Sequence, residues 1–226
     1  GDTCLATAAL GIASGDSARY LPAFAEAIEH YRFSGDKARL NMGRAWNAYI
    51  SAYSDPELAL QSVEQLQKDC PQPRPTSLSA VLCAAESGAK FWRDPPLAAA
   101  MALRAREYAQ QTGLVRLSIM ASSNAGWILE CLGDFDAAME CIEWSVIRAR
   151  KTGWPTVLAS CMVRLGSVLR ELGQLDRSHE ILAEAAARFE SLSGGIHKAI
   201  ALSALGQTLL SKNMTAEAVA AYETSV

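Results

Sequence analysis

The feature that most constrains the fold of this 226-residue chain is an internal repeat of 39 to 40 residues. The run LGDFDAA at residues 132–138 returns as LGQLDRS at 172–178 and, weakened, as KNMTAEA at 212–218. A second marker with the same period consists of three glycines: Gly126, Gly166 and Gly206. Repeats of this length are the sequence signature of architectures in which similar units stack and bury a shared core.

The register of the repeat predicts one central turn in each of six periods. An Asp-Pro pair stands one period before the Gly-Asp of residues 133–134, at 94–95, and another stands at 55–56, while a second Gly-Asp pair stands at 15–16. The predicted turns lie near residues 15, 54, 93, 133, 173 and 213. Between them, apolar residues recur at spacings of three and four, which is a helical pattern. Each period is therefore predicted to hold two antiparallel helices of about 16 to 17 residues, or about 25 Å each.

The whole chain, residues 1–226, is predicted to form a single all-α solenoid domain. Its repeats are expected at about 1–39, 40–78, 79–118, 119–158, 159–198 and 199–226. Composition agrees, because 40 of the residues are alanine, the best helix former. Three prolines at 71, 73 and 75 predict an irregular connection between the second and third periods. The chain opens inside a first helix and stops early in its last second helix, so we expect a piece of a longer polypeptide.

Charge and motif content argue against several classes of function. The 21 basic and 24 acidic residues give a net charge of −3, which disfavours a broad nucleic-acid-binding face. Uncharged runs are too short to span a bilayer, and the N-terminus lacks the basic region of a signal peptide, so we predict a cytoplasmic chain without a membrane partner. Phosphate-loop, zinc and nucleophile motifs are missing from the sequence. We therefore predict no catalytic residue, no metal, no cofactor and no enzymatic activity.

The six cysteines have no metal-ligand spacing with each other or with the three histidines. Disulfide frameworks belong mostly to short secreted chains that lack a good core. The cysteines are accordingly predicted to be free and mostly buried thiols.

The pattern within each period resembles the tetratricopeptide repeat. In that family the first helix carries a Leu-Gly pair, the turn is Gly-Asp-aromatic and the second helix carries a small alanine. The residues that carry the resemblance include Ala125, Gly126, Leu129, Gly133, Asp134, Phe135 and Ala138, and one period later Leu165, Gly166, Leu169, Gly173, Leu175 and Ser178. The departure is length, because the tetratricopeptide unit has about 34 residues. Units of about forty residues are similar to those in bacterial regulators, both the sensory halves of GGDEF-type diguanylate cyclases and LuxR-type transcription regulators.

The resemblance implies a right-handed superhelix whose first helices line a concave face for a protein or peptide partner. Candidate binding residues on that face are Asn41, Arg44, Lys90, Phe91, Ser123, Trp127, Glu130, Ser167, Arg170 and Gln207. Two alternatives stay open: the aromatic residues of this set merely pack between helices, and the basic ones form a plain solvated face. The remaining tryptophans, at 46, 92, 144 and 154, are expected in the core or at an interface. A homodimer contact around Trp144 is a further alternative.

The function implied by the resemblance is a regulatory, sensory module of a bacterial signalling protein. The N-terminal region of a GGDEF-type diguanylate cyclase is the first expectation. The alternatives are the repeat region of a LuxR-type regulator and a free-standing scaffold. None of the three requires this region to bind nucleic acid.

Overall fold

The computed structural model describes residues 17–192 and 195–225. Within these ranges the chain forms eleven α-helices and no strand, which confirms the predicted all-α class. The helices are α1 (Ser17–Ser34), α2 (Lys37–Ser51), α3 (Pro56–Asp69), α4 (Thr76–Lys90), α5 (Pro95–Gln111), α6 (Val115–Cys131), α7 (Phe135–Thr152), α8 (Pro155–Glu171), α9 (Leu175–Ser191), α10 (Gly195–Ser211) and α11 (Thr215–Thr224).

The turns predicted near residues 54, 93, 133, 173 and 213 are confirmed, each between the two helices of one period. The first predicted turn, near residue 15, lies outside the described residues, as does the expected first helix that opens the chain. Five of the helices α2 to α10 have 17 residues, within the predicted 16 to 17; α2, α3 and α4 are shorter, with 15, 14 and 15 residues, and α7 has 18. The connection from α3 to α4 spans residues 70–75 and is irregular, because it carries the three prolines.

Local sequence accounts for these helix breaks. The carboxylates of Asp55, Asp94 and Asp134 each accept a hydrogen bond from the backbone N–H three residues on, at 3.0, 3.1 and 3.2 Å. Such caps satisfy N–H groups that the first helical turn leaves without partners. Gly133 has φ of 80°, and Asn213 takes the equivalent left-handed place with φ of 61°. Glycine enters this conformation without strain and asparagine tolerates it.

The contacts divide the chain into two compact units, residues 1–128 and 129–226. In the first unit, α2 packs on α4 and α4 on α5. The core of this unit includes Leu66 of α3 and Val81 and Leu82 of α4, each at most 2 % exposed. Gly88 allows α4 to approach the end of α2, because a Cβ there would lie 2.9 Å from the Cβ of Ala52.

In the second unit, α8 packs on α9, and α10 packs on both α9 and α11. Neighbouring helices approach each other closely at the periodic glycines. A Cβ on Gly166 would lie 2.4 Å from Cγ of Leu182, and one on Gly206 would lie 2.8 Å from the ring of Tyr222. The hydroxyl of Ser178 donates to the carbonyl oxygen of Gly166 at 2.7 Å, which joins α9 to α8.

The four tryptophans outside the candidate set have different environments. Trp154 is buried, and Trp46 and Trp144 are half-buried. Trp92 was expected in the core or at an interface; it is 78 % exposed, so the core position is wrong and the interface position stays a prediction. It lies in the turn between α4 and α5 rather than on a packed helix face.

The five cysteines within the described ranges are free thiols, as predicted; Cys4 lies outside those ranges. Cys141 and Cys161 are buried, and Cys70 and Cys83 are half-buried. Cys131 is exposed, so the expectation of burial is wrong there. It is the last residue of α6 and precedes the turn.

Across the described ranges, no helix combines the length and apolar character needed to cross a membrane. Nor do histidine, cysteine and acidic side chains of those ranges gather into a group that could hold a metal ion.

Candidate partner-binding surfaces

Two candidate residues lie together on α2 and are held by the end of α3. The guanidinium of Arg44 pairs with the carboxylate of Asp69 at 2.8 Å, and the Asn41 amide donates to Sγ of Cys70 at 2.8 Å. Hydrogen bonds from Arg44 and then from Gln65 hold the pKa of Asp69 below its ordinary value. Arg44 is therefore an ion-paired side chain, 28 % exposed, rather than part of a plain solvated face.

Lys90 is paired within its own helix. Its ammonium lies 3.3 Å from the carboxylate of Glu86, one turn earlier on α4. Both side chains are largely covered, at 28 % and 20 % exposure. The positive charge of Lys90 is therefore already compensated by the carboxylate of Glu86.

The aromatic candidates lie in a group of four rings in the first unit, the aromatic cluster: Tyr53, Phe91, Trp92 and Trp127. Phe91 stacks on Trp127 with ring centroids 4.4 Å apart and meets Trp92 edge-on, also at 4.4 Å. Tyr53 is tilted against Trp127 at 6.5 Å. Phe91 is 2 % exposed and supports the others, whereas Trp92 and Tyr53 are 78 % and 42 % exposed.

For the aromatic candidates, the structure thus shows both packing between helices and exposed surface. Phe91 packs between helices and offers almost no surface to a ligand, which corrects its expected place on an open face. Trp127 is half-buried, so it is neither sealed in the core nor fully exposed. Ser123 is only 5 % exposed, a second correction to the expected open face, while Ser167 is half-buried.

Three candidates of the second unit, Glu130, Arg170 and Gln207, belong to a group of charged and polar residues that we call the charged cluster. Its other members are Arg164 and Glu171. The guanidinium of Arg170 donates at 2.8 Å both to Glu171 beside it and to Gln207 of α10. Its side chain is 17 % exposed. Burial raises the pKa of Glu130 to about 7, and Glu171 adds to the rise, although Arg170 and Arg164 act against it.

Sequence reasoning missed Tyr53 and Trp92, and a signal for them existed. They stand 39 residues apart, at the same place just before the central turn, and Leu132 and Leu172 continue the series at intervals of 40. All four side chains are at least 37 % exposed. A large apolar residue that recurs at one exposed position of a repeat is a detectable sign of a surface function. Arg164 was also missed, because nothing in the spacing marks it.

Comparison with known proteins agrees with the fold. A tetratricopeptide repeat family model matches residues 158–226. No curated protein matches the chain. The chain is therefore similar in sequence to tetratricopeptide repeats over its last third. For the rest of the chain, the likeness to known proteins is one of fold.

Solved structures extend the likeness across the chain. BtubC from P. vanneervenii is 16 % identical, with a TM-score of 0.68 over 92 % of this chain and 88 % of that one. A Rap protein complexed with competence and sporulation factor is 15 % identical, with a TM-score of 0.69 over 91 % of this chain, which spans only 63 % of the Rap protein. A putative kinesin light chain from Podosopora anserina, with nearly identical TPR-like repeats, is 14 % identical, with a TM-score of 0.60 over 81 % of this chain and 92 % of that one. At these identities the likeness is one of fold.

Proposed function

We propose that the chain is a helical-repeat module that binds a protein or peptide partner and has no catalytic activity of its own. The observation that carries the proposal is the aromatic cluster. In it, Trp92 and Tyr53 are exposed to solvent, while Phe91, which contacts Trp92, is buried. Trp and Tyr supply large contact areas at a low cost in side-chain entropy, and binding hot spots are enriched in them.

The rigidity of the cluster favours binding. Phe91 is buried and stacks on Trp127, so the Trp127 ring is held in place before a partner arrives. A pre-positioned ring loses little conformational freedom on binding. The partner segment that fits such a surface carries an apolar or aromatic side chain that can lie against the rings.

The comparisons are consistent with this proposal. Folds made of stacked helix pairs present extended surfaces for partners, and the Rap protein of similar fold was solved with its competence and sporulation factor. The candidate residues Asn41, Arg44, Lys90, Ser123, Trp127, Glu130, Ser167, Arg170 and Gln207 remain our proposal for where a partner lies, with Phe91 as support.

Peptides selected by display on the purified chain test the proposal. Their affinity is measured by fluorescence anisotropy for the unchanged protein and for Trp92→Ala, Trp127→Ala and Arg44→Ala. The aromatic variants are expected to weaken binding by about 2 kcal/mol, or about thirtyfold, as for a hot-spot residue. Trp92 is 78 % exposed, so its removal leaves the core intact.

The matched control is Trp144→Ala. Trp144 is a half-buried tryptophan of the second unit, covered by the guanidinium of Arg148 at 5.2 Å. We expect no loss of peptide affinity in this variant. Equal losses of peptide affinity in Trp92→Ala and Trp144→Ala, or no loss in any aromatic variant, would show that the aromatic cluster is not part of the binding surface. A turnover that follows the purified chain would contradict its non-catalytic assignment.

We further propose that the module is the cytoplasmic sensory region of a bacterial GGDEF-type diguanylate cyclase. The forty-residue unit and phrases such as Leu165-Gly166 followed by Leu169 support this. The test is to express the complete natural polypeptide and measure synthesis of the cyclic dinucleotide with and without a selected peptide. A helix-turn-helix in the complete polypeptide would favour the LuxR-type alternative, and a chain with neither domain would favour the scaffold.

A further inference from the structure

One face of α7, in the second unit, carries four side chains in a regular pattern. In chain order they are Glu140, Trp144, Ile147 and Lys151, at successive spacings of four, three and four residues. Such spacings place side chains side by side on one face of a helix. Ile147 is 55 % exposed, Trp144 is half-buried, and the two charged side chains are exposed. This α7 face therefore has an apolar centre between an acidic end and a basic end.

The apolar centre of the α7 face is not a requirement of the repeat. Helices α5, α7 and α9 begin 40 residues apart, so their positions can be compared directly. The positions of Trp144 and Ile147 are taken by Arg104 and Glu107 on α5, and by Glu184 and Ala187 on α9. All four of these side chains are exposed. Neighbouring repeats thus fold with charged or small residues at this place, and an exposed apolar patch that the fold does not need marks an interaction surface.

The charges at the two ends of the α7 face are available to a partner. Within the described part of the chain, neither the carboxylate of Glu140 nor the ammonium of Lys151 takes part in an ion pair or a side-chain hydrogen bond. Lys151 lies in the last turn, where a cation also suits the helix dipole. Glu140 is the sixth residue of α7 and lies beyond the first turn, so the dipole does not account for it. Between them, the guanidinium of Arg148 lies over the Trp144 ring, 5.2 Å from its centroid, and restrains that ring.

The pattern is complementary to itself when a second copy is turned end for end. In an antiparallel pair of α7 helices related by a two-fold axis, Trp144 of each copy lies opposite Ile147 of the other. The equal spacings on either side then place Glu140 of each copy opposite Lys151 of the other. A contact between two identical patches is the commonest way in which soluble chains form dimers. Charge and apolar surface on the α7 face therefore fit a second copy of this chain.

We propose that the chain forms a two-fold symmetric dimer through the antiparallel packing of its α7 faces. The centre of the contact is formed by Trp144 of each copy against Ile147 of the other. An ion pair between Glu140 of one copy and Lys151 of the other closes each end. Because each copy contributes one helix, the interface is small, and the association is weak and reversible. The dimer uses none of the residues proposed for peptide binding, so it is independent of that function.

Sedimentation equilibrium of the purified chain tests the proposal, at neutral pH and about 0.15 M salt, where distant charges are screened. The unchanged chain is expected to pass from monomer to dimer between about 10 μM and about 1 mM. Ile147→Ser removes both apolar contacts at the centre and should weaken dimerisation by about tenfold or more. Since Ile147 is 55 % exposed, the substitution leaves the core intact.

Charge reversal tests the antiparallel register. Glu140→Lys and Lys151→Glu each replace two attractive pairs by two repulsive ones, so each variant alone should dimerise about tenfold more weakly. An equimolar mixture of the two variants has opposite charges at both ends again, and its heterodimers should form about as tightly as the unchanged dimer. Arg150→Glu is the matched control, with the same change of charge at an exposed neighbour about 100° around the helix. It should dimerise like the unchanged chain.

Recovery of dimers in the mixture, together with a loss in Ile147→Ser, supports the proposed contact. A monomer over the whole concentration range overturns it, and so does a dimer that Ile147→Ser leaves unchanged. A mixture of Glu140→Lys and Lys151→Glu that stays monomeric, or an equal loss in Arg150→Glu, would show that the paired ends are wrong. These results are independent of the display peptides and of Trp92→Ala, which report on the aromatic cluster alone.

Discussion

The aromatic and charged clusters depend on individual side chains whose environment the sequence only partly predicts. The repeat register selected Glu130 and Arg170 because both lie at the same first-helix position, 40 residues apart. It could not predict that Glu130 is half-buried while Arg170 is held by Gln207. These differences arise from neighbouring helices, and spacing along one helix carries no information about them.

Glu130 should make the stability of the chain depend on pH. Its pKa rises from the ordinary 4.5 to about 7 on folding, so the folded chain holds this proton more tightly than the unfolded chain does. The free energy of unfolding therefore falls as the pH rises from 4.5 to about 7, by about 3 kcal/mol at most. Glu130→Gln removes this loss and should raise stability by about 1–3 kcal/mol at about pH 8, with little change near pH 4.5.

Thermal unfolding at the two pH values measures the effect, with about 2–4 °C expected for each kcal/mol. Glu180→Gln, which changes an exposed acidic residue of α9, serves as the control and should change the midpoint little at either pH. An equal gain for Glu130→Gln at both values would mean that the carboxyl group is not titrating near neutrality.

At the scale of helices, the sequence was most informative where local chemistry acts alone. Asp55, Asp94 and Asp134 start helices because their side chains cap free N–H groups, and this depends on nearest neighbours only. Close helix contacts were predicted less completely. The spacing marked Gly166, but it did not mark Gly88, which allows a close approach to Ala52 outside the glycine register.

Gly166→Ala tests the contact between α8 and α9. The new Cβ would lie 2.4 Å from Cγ of Leu182, a side chain with no solvent exposure, so the helices must separate or Leu182 must leave its rotamer. Overpacking of this kind costs about 1–3 kcal/mol and exceeds the gain in helix propensity, which is about 1 kcal/mol. Chemical denaturation should show a net loss of stability.

Gly195→Ala is the matched substitution. Gly195 also lies in a helix, the first residue of α10, and a Cβ there would meet nothing within 4 Å. It should leave stability unchanged or raise it by up to about 1 kcal/mol. If both alanine variants behaved alike, the close contact at Gly166 would not limit packing.

At the scale of the molecule, the repeat period predicted the order of the helices. The alanine-rich composition predicted an all-helical chain. The binding surfaces were predicted only as a set of positions on first helices. The structure divides that set into an ion pair at Arg44, an aromatic cluster and a charged cluster. Both clusters depend on side chains from different repeats, such as Tyr53 with Trp127, and a register that treats all repeats as equivalent cannot specify which pairs meet.

Thiol reactivity reports on the folded chain as a whole, because the described cysteines span the sequence from 70 to 161 and none is in a disulfide. In a Cys4→Ser background, a thiol reagent should modify exposed Cys131 first, Cys70 and Cys83 more slowly, and Cys141 and Cys161 only on unfolding. Burial raises the pKa of both Cys131 and Cys83, so their labelling should be slow at neutral pH and accelerate up to about tenfold per pH unit. Peptide mapping after timed labelling measures this order, and Cys131→Ser should remove only the first phase. Early labelling of Cys141 together with Cys161 would mean that the helices of the second unit open in the native state.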